Sequence, residues 1–69
     1  MTIRVSDRRL LVPLMDALRS VGCLVAVVEQ DRCRVAADTG EDRQQALLEL
    51  RFFARAWALG HGAEVQVEA

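Results

Sequence analysis

Residues 22–37 read GCLVAVVEQDRCRVAA, and the reading of this stretch decides the fold. Gly22 opens it, a Val-rich run follows from Cys23 to Glu29, and a second short run covers Arg32–Ala37. Branched aliphatic residues bounded by Gly and by the polar pair Gln30-Asp31 are the pattern of two strands joined by a two-residue turn. In that hairpin Glu29 faces Arg32, Val28 faces Cys33 and Ala26 faces Val35. Neither turn residue is Gly, so the turn does not pin the register. A slip of one residue would exchange the two faces.

Upstream, Met1–Val5 alternates, with Ile3 and Val5 to one side and Thr2 and Arg4 to the other, as in a short half-buried strand. Ser6 and Asp7 are good helix caps. Leu10, Leu11, Leu14, Met15, Leu18 and Val21 then recur at helical spacing. Pro13 removes a backbone donor there, so either the helix starts near Val12 with Pro13 in its first turn, or it kinks. The late start is expected, with Asp7–Leu11 as a loose turn. Gly22 suits the left-handed cap that ends such a helix.

Downstream, Thr39 and Asp42 are spaced as a weak capping box, and a long helix is expected from about Gly40 to Leu59. Ala46, Leu47, Leu50, Phe53, Ala54 and Trp57 form its main apolar stripe. Leu48, Phe52 and Leu59 lie beside that stripe, where packing on the first helix would use them. Adjacent residues on a helix diverge by ~100°, so one of Phe52 and Phe53 is expected at the surface. Ala63–Glu68 alternates again, with Val65 and Val67 inward. The element order is β-α-β-β-α-β.

Two helices cannot cover both faces of a four-stranded sheet, so both are expected on one face. The fold expected for residues 1–69 is a single α+β domain, a two-layer sandwich with an antiparallel sheet in the order 4-1-3-2. Its core would take Ile3, Val5, Leu24, Ala26, Val28, Cys33, Val35, Val65 and Val67. The open face would carry Thr2, Arg4, Cys23, Val25, Val27, Arg34, Ala36, Glu64, Gln66 and Glu68. Arg4 and Arg34 beside glutamates form a solvated charge lattice there. Cys23, Val25 and Val27 do not suit a wet surface, and with Phe52 they are the candidate interface residues.

The composition narrows the function. The chain has 69 residues, 52% apolar and 28% charged, with a net charge of −1. That balance does not suit a protein that grips nucleic acid or anionic membranes through a basic excess. The longest apolar run, Cys23 to Val28, is far below the ~20 residues of a membrane span. No charged-then-apolar leader opens the chain, so a cytoplasmic setting is expected. All nine basic residues are Arg, with no Lys, Asn or Tyr and ten Ala, a bias that points to GC-rich bacterial codon usage. A domain this small has a thin stability margin, and pairing is a common way to bury more surface.

The element order, spanning the whole chain, resembles the ferredoxin-like superfold and, within it, ACT-type regulatory domains. The resemblance implies side-by-side pairing and amino-acid binding where the first strand meets the first helix. In this chain those positions are Ser6, Asp7, Arg8 and Arg9, where the family generally has a Gly. The ending, with Leu50, Phe53 and Trp57 before Gly62, Val65 and Val67, is also similar to small uncharacterised bacterial proteins, which implies no activity.

Other chemistries of this topology fit poorly. Acylphosphatases depend on an Arg and an Asn, and the chain has no Asn. Metallochaperones carry two cysteines in the first loop, whereas here Cys23 and Cys33 lie on strands. Cys23 should lie opposite Asp38, so no disulfide to Cys33 is expected. RNA binding needs aromatics on the sheet, yet Phe52, Phe53 and Trp57 all fall on the second helix. His61 is the single His and sits between glycines, a mobile setting for an acid-base group. The expectation is a non-enzymatic homodimer or protein-interaction module without metal or cofactor. The alternative is an ACT-like domain binding an amino acid or anion at Ser6–Arg9.

Overall fold

The computed structural model describes residues 1–36 and 43–68. Four strands and two helices follow in order: β1 (Thr2–Val5), α1 (Leu11–Ser20), β2 (Leu24–Glu29), β3 (Arg32–Ala36), α2 (Arg43–His61) and β4 (Val65–Glu68). The sheet is antiparallel throughout, in the order β2-β3-β1-β4. This is the ferredoxin-like sandwich, and its order is 4-1-3-2 read from the other edge. The expected Thr39–Asp42 cap and the Asp38 position opposite Cys23 lie outside the described residues.

Alternation on the central strands builds the core. Ile3, Val5, Cys33 and Val35 are buried against Leu11, Leu14, Met15 and Leu18 of α1 and Leu50 and Ala54 of α2. Met1, Phe53, Trp57, Val65 and Val67 close its margins. No polar or charged residue is buried among those described, so apolar burial carries this core.

Pro13 sits in the first turn of α1, where its missing N–H would have no partner within the helix. The segment before it is tighter than a loose turn. Asp7 caps a single 3-10 turn over Arg8–Leu10 by accepting the Arg9 N–H at 3.0 Å. The helix starts at Leu11, one residue before the expected start. At its other end Gly22, at φ 92°, donates to the Arg19 carbonyl at 3.0 Å, and Cys23 donates to Leu18 at 3.1 Å. This pair of bonds is a Schellman cap. It recurs at the end of α2, where Gly62 (φ 64°) donates to Leu59 and Ala63 to Ala58. That helix runs on through Gly60 to His61 rather than ending at Leu59.

The hairpin register differs from expectation. Glu29 does face Arg32, but Val27 faces Cys33, Val25 faces Val35 and Ala26 faces Arg34. Val28 is an extra residue, a bulge. The cause lies in the turn: neither Gln30 nor Asp31 has a positive φ, so the pair does not form the primed turns that match strand twist. The bulge supplies the twist instead. As a result Leu24, Ala26 and Val28 are exposed instead of lying in the core. Cys23 and Val25 turn toward the helices and pack on the core rather than standing on the open face. Val27 shares their face, yet it lies beyond the helices' cover and is 62% exposed.

Gly22 at the cap of α1 and Gly60 inside the last turn of α2 should respond to substitution with opposite signs. Gly22→Ala forces a Cβ into the left-handed region and should lower unfolding free energy by about 1 kcal/mol. Gly60→Ala, in ordinary helical backbone with open space around it, should raise it by about 0.5–1 kcal/mol. Urea denaturation of both variants checks the pair.

Candidate functional site

At the end of the sheet where β1 leaves it, Ser6 joins the first turn to β4. Its N–H donates to the Glu64 carbonyl at 2.9 Å, and its Oγ accepts the Glu64 N–H at 3.0 Å. Asp7 holds Arg9 through two side-chain bonds, Nε to Oδ1 at 3.1 Å and Nη2 to Oδ2 at 3.0 Å. These bonds, with the Arg9 backbone N–H, hold the Asp7 carboxyl below its ordinary range. Arg8 donates from Nη1 to Gln30 Oε1 at 3.0 Å. An open cleft of about 800 Å³ is lined by Ser6, Asp7, Arg8, Glu29, Gln30 and Asp31. Three of its lining side chains are carboxylic acids and one is a guanidinium. Of the expected Ser6–Arg9 positions, Ser6, Asp7 and Arg8 line this cleft and Arg9 does not, and both arginines are engaged by Gln30 and Asp7.

The open face of the sheet differs from a simple alternation of arginine and glutamate. Arg4 stands directly across from Arg32, and Thr2 separates Arg34 on one side from Glu68 on the other. Like charges opposite one another repel. Asp31 lies 3.8 Å from Arg4 and Glu29 lies 3.8 Å from Arg32, close enough to offset that repulsion but too far to hydrogen-bond. The Nε atoms of both arginines are buried and have no hydrogen-bond partner. Among the described residues no group of three or more His, Cys, Asp or Glu could hold a metal ion. Burial pushes the thiols of Cys23 and Cys33 up, away from thiolate reactivity.

Apolar side chains make the more distinctive surface. On β2, an edge strand, Leu24 is 61% exposed on the open face and Val27 is exposed on the other. Arg19 of α1 reaches across to the Val25 carbonyl at 3.4 Å. That carbonyl therefore points away from β3, and the alternation of strand backbone groups puts Val27 in the same outward row. Val12 is exposed and lies two helical turns from Arg19, on the same flank of α1. The interface residues expected together do not form one surface. Val27 belongs to this edge, Cys23 and Val25 support the core beneath it, and Phe52 lies on α2, which packs over β4.

On α2, Phe53 and Trp57 face the core, as expected, while Phe52 is 72% exposed. Trp57 stacks on His61 with ring centroids 4.2 Å apart. Leu48, Phe52 and Leu59, expected against α1, are exposed instead. The signal that could have located them is their angular position, roughly opposite the core stripe at ~100° per residue.

No family model matches the chain, and no characterised protein or solved structure does either. No helix among the described residues is long and apolar enough to cross a membrane.

The Asp7–Arg9 contact gives a signed pH dependence. A carboxyl depressed in the folded chain adds stability above its unfolded value, and that contribution is lost as pH falls through the folded one. An NMR titration should find the Asp7 midpoint below the ordinary ~3.9, and Arg9→Ala should bring it back toward that value. An unchanged midpoint in the variant would mean that Arg9 is not what holds the carboxyl down.

Proposed function

We propose that this domain is a non-enzymatic interaction module that pairs with a second copy of itself along β2. The observation that carries the reading is the contrast between the two sheet edges. β4 alternates valines with Gln66 and Glu68, whereas Leu24–Val28 on β2 has five apolar residues in a row and no charge. A strand of that kind with a free backbone row is an adhesive surface unless something covers it. Antiparallel pairing about a two-fold axis would set Val25 across from Val27 of the second copy, so the edge is self-complementary. The flank of α1 bearing Val12 and Arg19 would extend the contact. A standard interface takes about 800 Å² from each partner, roughly a sixth of this chain's 4801 Å² surface. The Arg19 bond to Val25 is long and exposed, so it is cheap to exchange for a backbone donor of the incoming strand.

The second reading, ACT-like binding of a small ligand, draws its support from the cleft at Ser6–Asp31. Its carboxylates outnumber its one guanidinium, so it suits the ammonium end of an amino acid better than a simple anion. A rise in melting temperature with added amino acids would favour that reading, because ligands that bind only the native state stabilise it.

Light scattering across a tenfold concentration range tests the pairing. The expected mass is twice the chain's 7.7 kDa. Val27→Lys should return it to the monomer while leaving the thermal transition cooperative, because Val27 lies outside the core. Val25 does not serve this test, because it packs against the core and a charge there would also change stability. A monomer at every concentration overturns the proposal.

A further inference from the structure

Nothing in the β2 pairing uses the outer face of α2. At ~100° per residue, Leu48, Phe52 and Leu59 fall within about 40° of one another, on the side of the helix away from Leu50, Ala54 and Ala58. Phe52 is 72% exposed and Leu59 78%. The spacing 48, 52, 55, 59 alternates steps of four and three, which is that of a helix-packing seam about 16 Å long. Arg55 occupies the third position of that seam. Arg51, one turn before it, borders the line. Neither has a carboxylate within ion-pair distance among the described residues, as is also true of Arg8, Arg34 and Arg43, whereas Arg4, Arg9, Arg19 and Arg32 each have one. Two like charges at i and i+4 are mildly unfavourable on an isolated helix. The face therefore lacks two complements, apolar cover for Phe52 and its leucine neighbours, and negative charge for the two arginines.

We propose that the outer face of α2 docks an amphipathic helix of a different protein, one whose apolar seam is bordered by Asp or Glu. Leu48, Phe52 and Leu59 receive the seam, with Phe52 as the anchor, and Arg51 and Arg55 receive the carboxylates. A second copy of the chain fits less well. Laid antiparallel, it brings the Arg51 flank against its own counterpart, and laid parallel it sets Arg55 against Arg55. An anionic membrane also fits less well. A helix lying on lipid presents a broad apolar face bordered by several cations, whereas this line is one residue wide and Glu49 borders its other side.

The test uses the full chain, labelled with nitrogen-15, and two synthetic helical peptides with the same leucine seam. One carries Glu beside the seam and the other Lys. The Glu peptide should shift the amides of residues 48–59 and bind about tenfold more tightly than the Lys peptide, as two complementary charge pairs would give. Phe52→Ala should abolish the shifts without changing the melting temperature, and the double variant Arg51→Glu, Arg55→Glu should reverse the preference between peptides. Equal binding of the two peptides, no shift in α2, or persistence of binding in Phe52→Ala overturns the proposal. So does binding to phosphatidylserine vesicles with no response to the Glu peptide, which would assign the face to a membrane. A fall in solution mass on Phe52→Ala would assign it to a second copy. The β2 pairing is read from Val27→Lys, so either surface can fail without the other.

Discussion

The turn at Gln30-Asp31 holds Glu29 across from Arg32 with no residue in the left-handed region, and the rest of the molecule follows from how that constraint is met. A two-residue hairpin without positive φ leaves its strands mismatched in twist. Inserting Val28 as an extra residue corrects the twist and reverses the facing of every residue before it on β2. Val25 and Cys23 are thereby directed to the helices, and Leu24 and Ala26 to the open face. Had the pairing continued without the bulge, Leu24, Ala26 and Val28 would have filled the core side. Moving one residue decides which valines stabilise the chain and which remain for another surface.

Most of the architecture was legible because it rests on strong local signals. Ile3 and Val5 alternate, Leu11, Leu14, Met15 and Leu18 recur at helical spacing, and Gly22 stands where a left-handed cap forms, whereas the end of α2 was expected at Leu59, two residues short of His61. The placement of Pro13 followed from its missing donor. Face assignment on β2 was not legible, because five consecutive apolar residues have no period by which to tell inside from outside. There only the turn could reveal the register, and a turn without a glycine does not show it in the sequence. The candidate site was legible in part. Ser6, Asp7 and Arg8 do line a cleft, but sequence order does not reveal that Arg9 is taken up by Asp7 or that Glu29 and Asp31 approach from the hairpin. The outward line on α2 was visible as residues and misplaced as geometry.

The charges show how an all-arginine chain manages a crowded open face. Arg4 and Arg32 are cross-strand neighbours, and the acids that relieve them, Asp31 and Glu29, come from the same turn that sets the register. Exposed pairs of this length contribute little stability on their own. Their effect is on placement, since they hold the hairpin end over β1, where the Val5 N–H reaches the Asp31 carbonyl at 2.8 Å.

The strand order β2-β3-β1-β4 interleaves the two β-α-β halves of the chain. β1 and β2 belong to the first half, β3 and β4 to the second, and no strand lies beside another from its own half. Every ladder in the sheet therefore joins the halves, and severing the chain between them would leave two fragments with no sheet of their own. Such a molecule has no subdomain that can melt first. It should lose its structure in a single cooperative step, with the slowest-exchanging amides drawn from both halves at once.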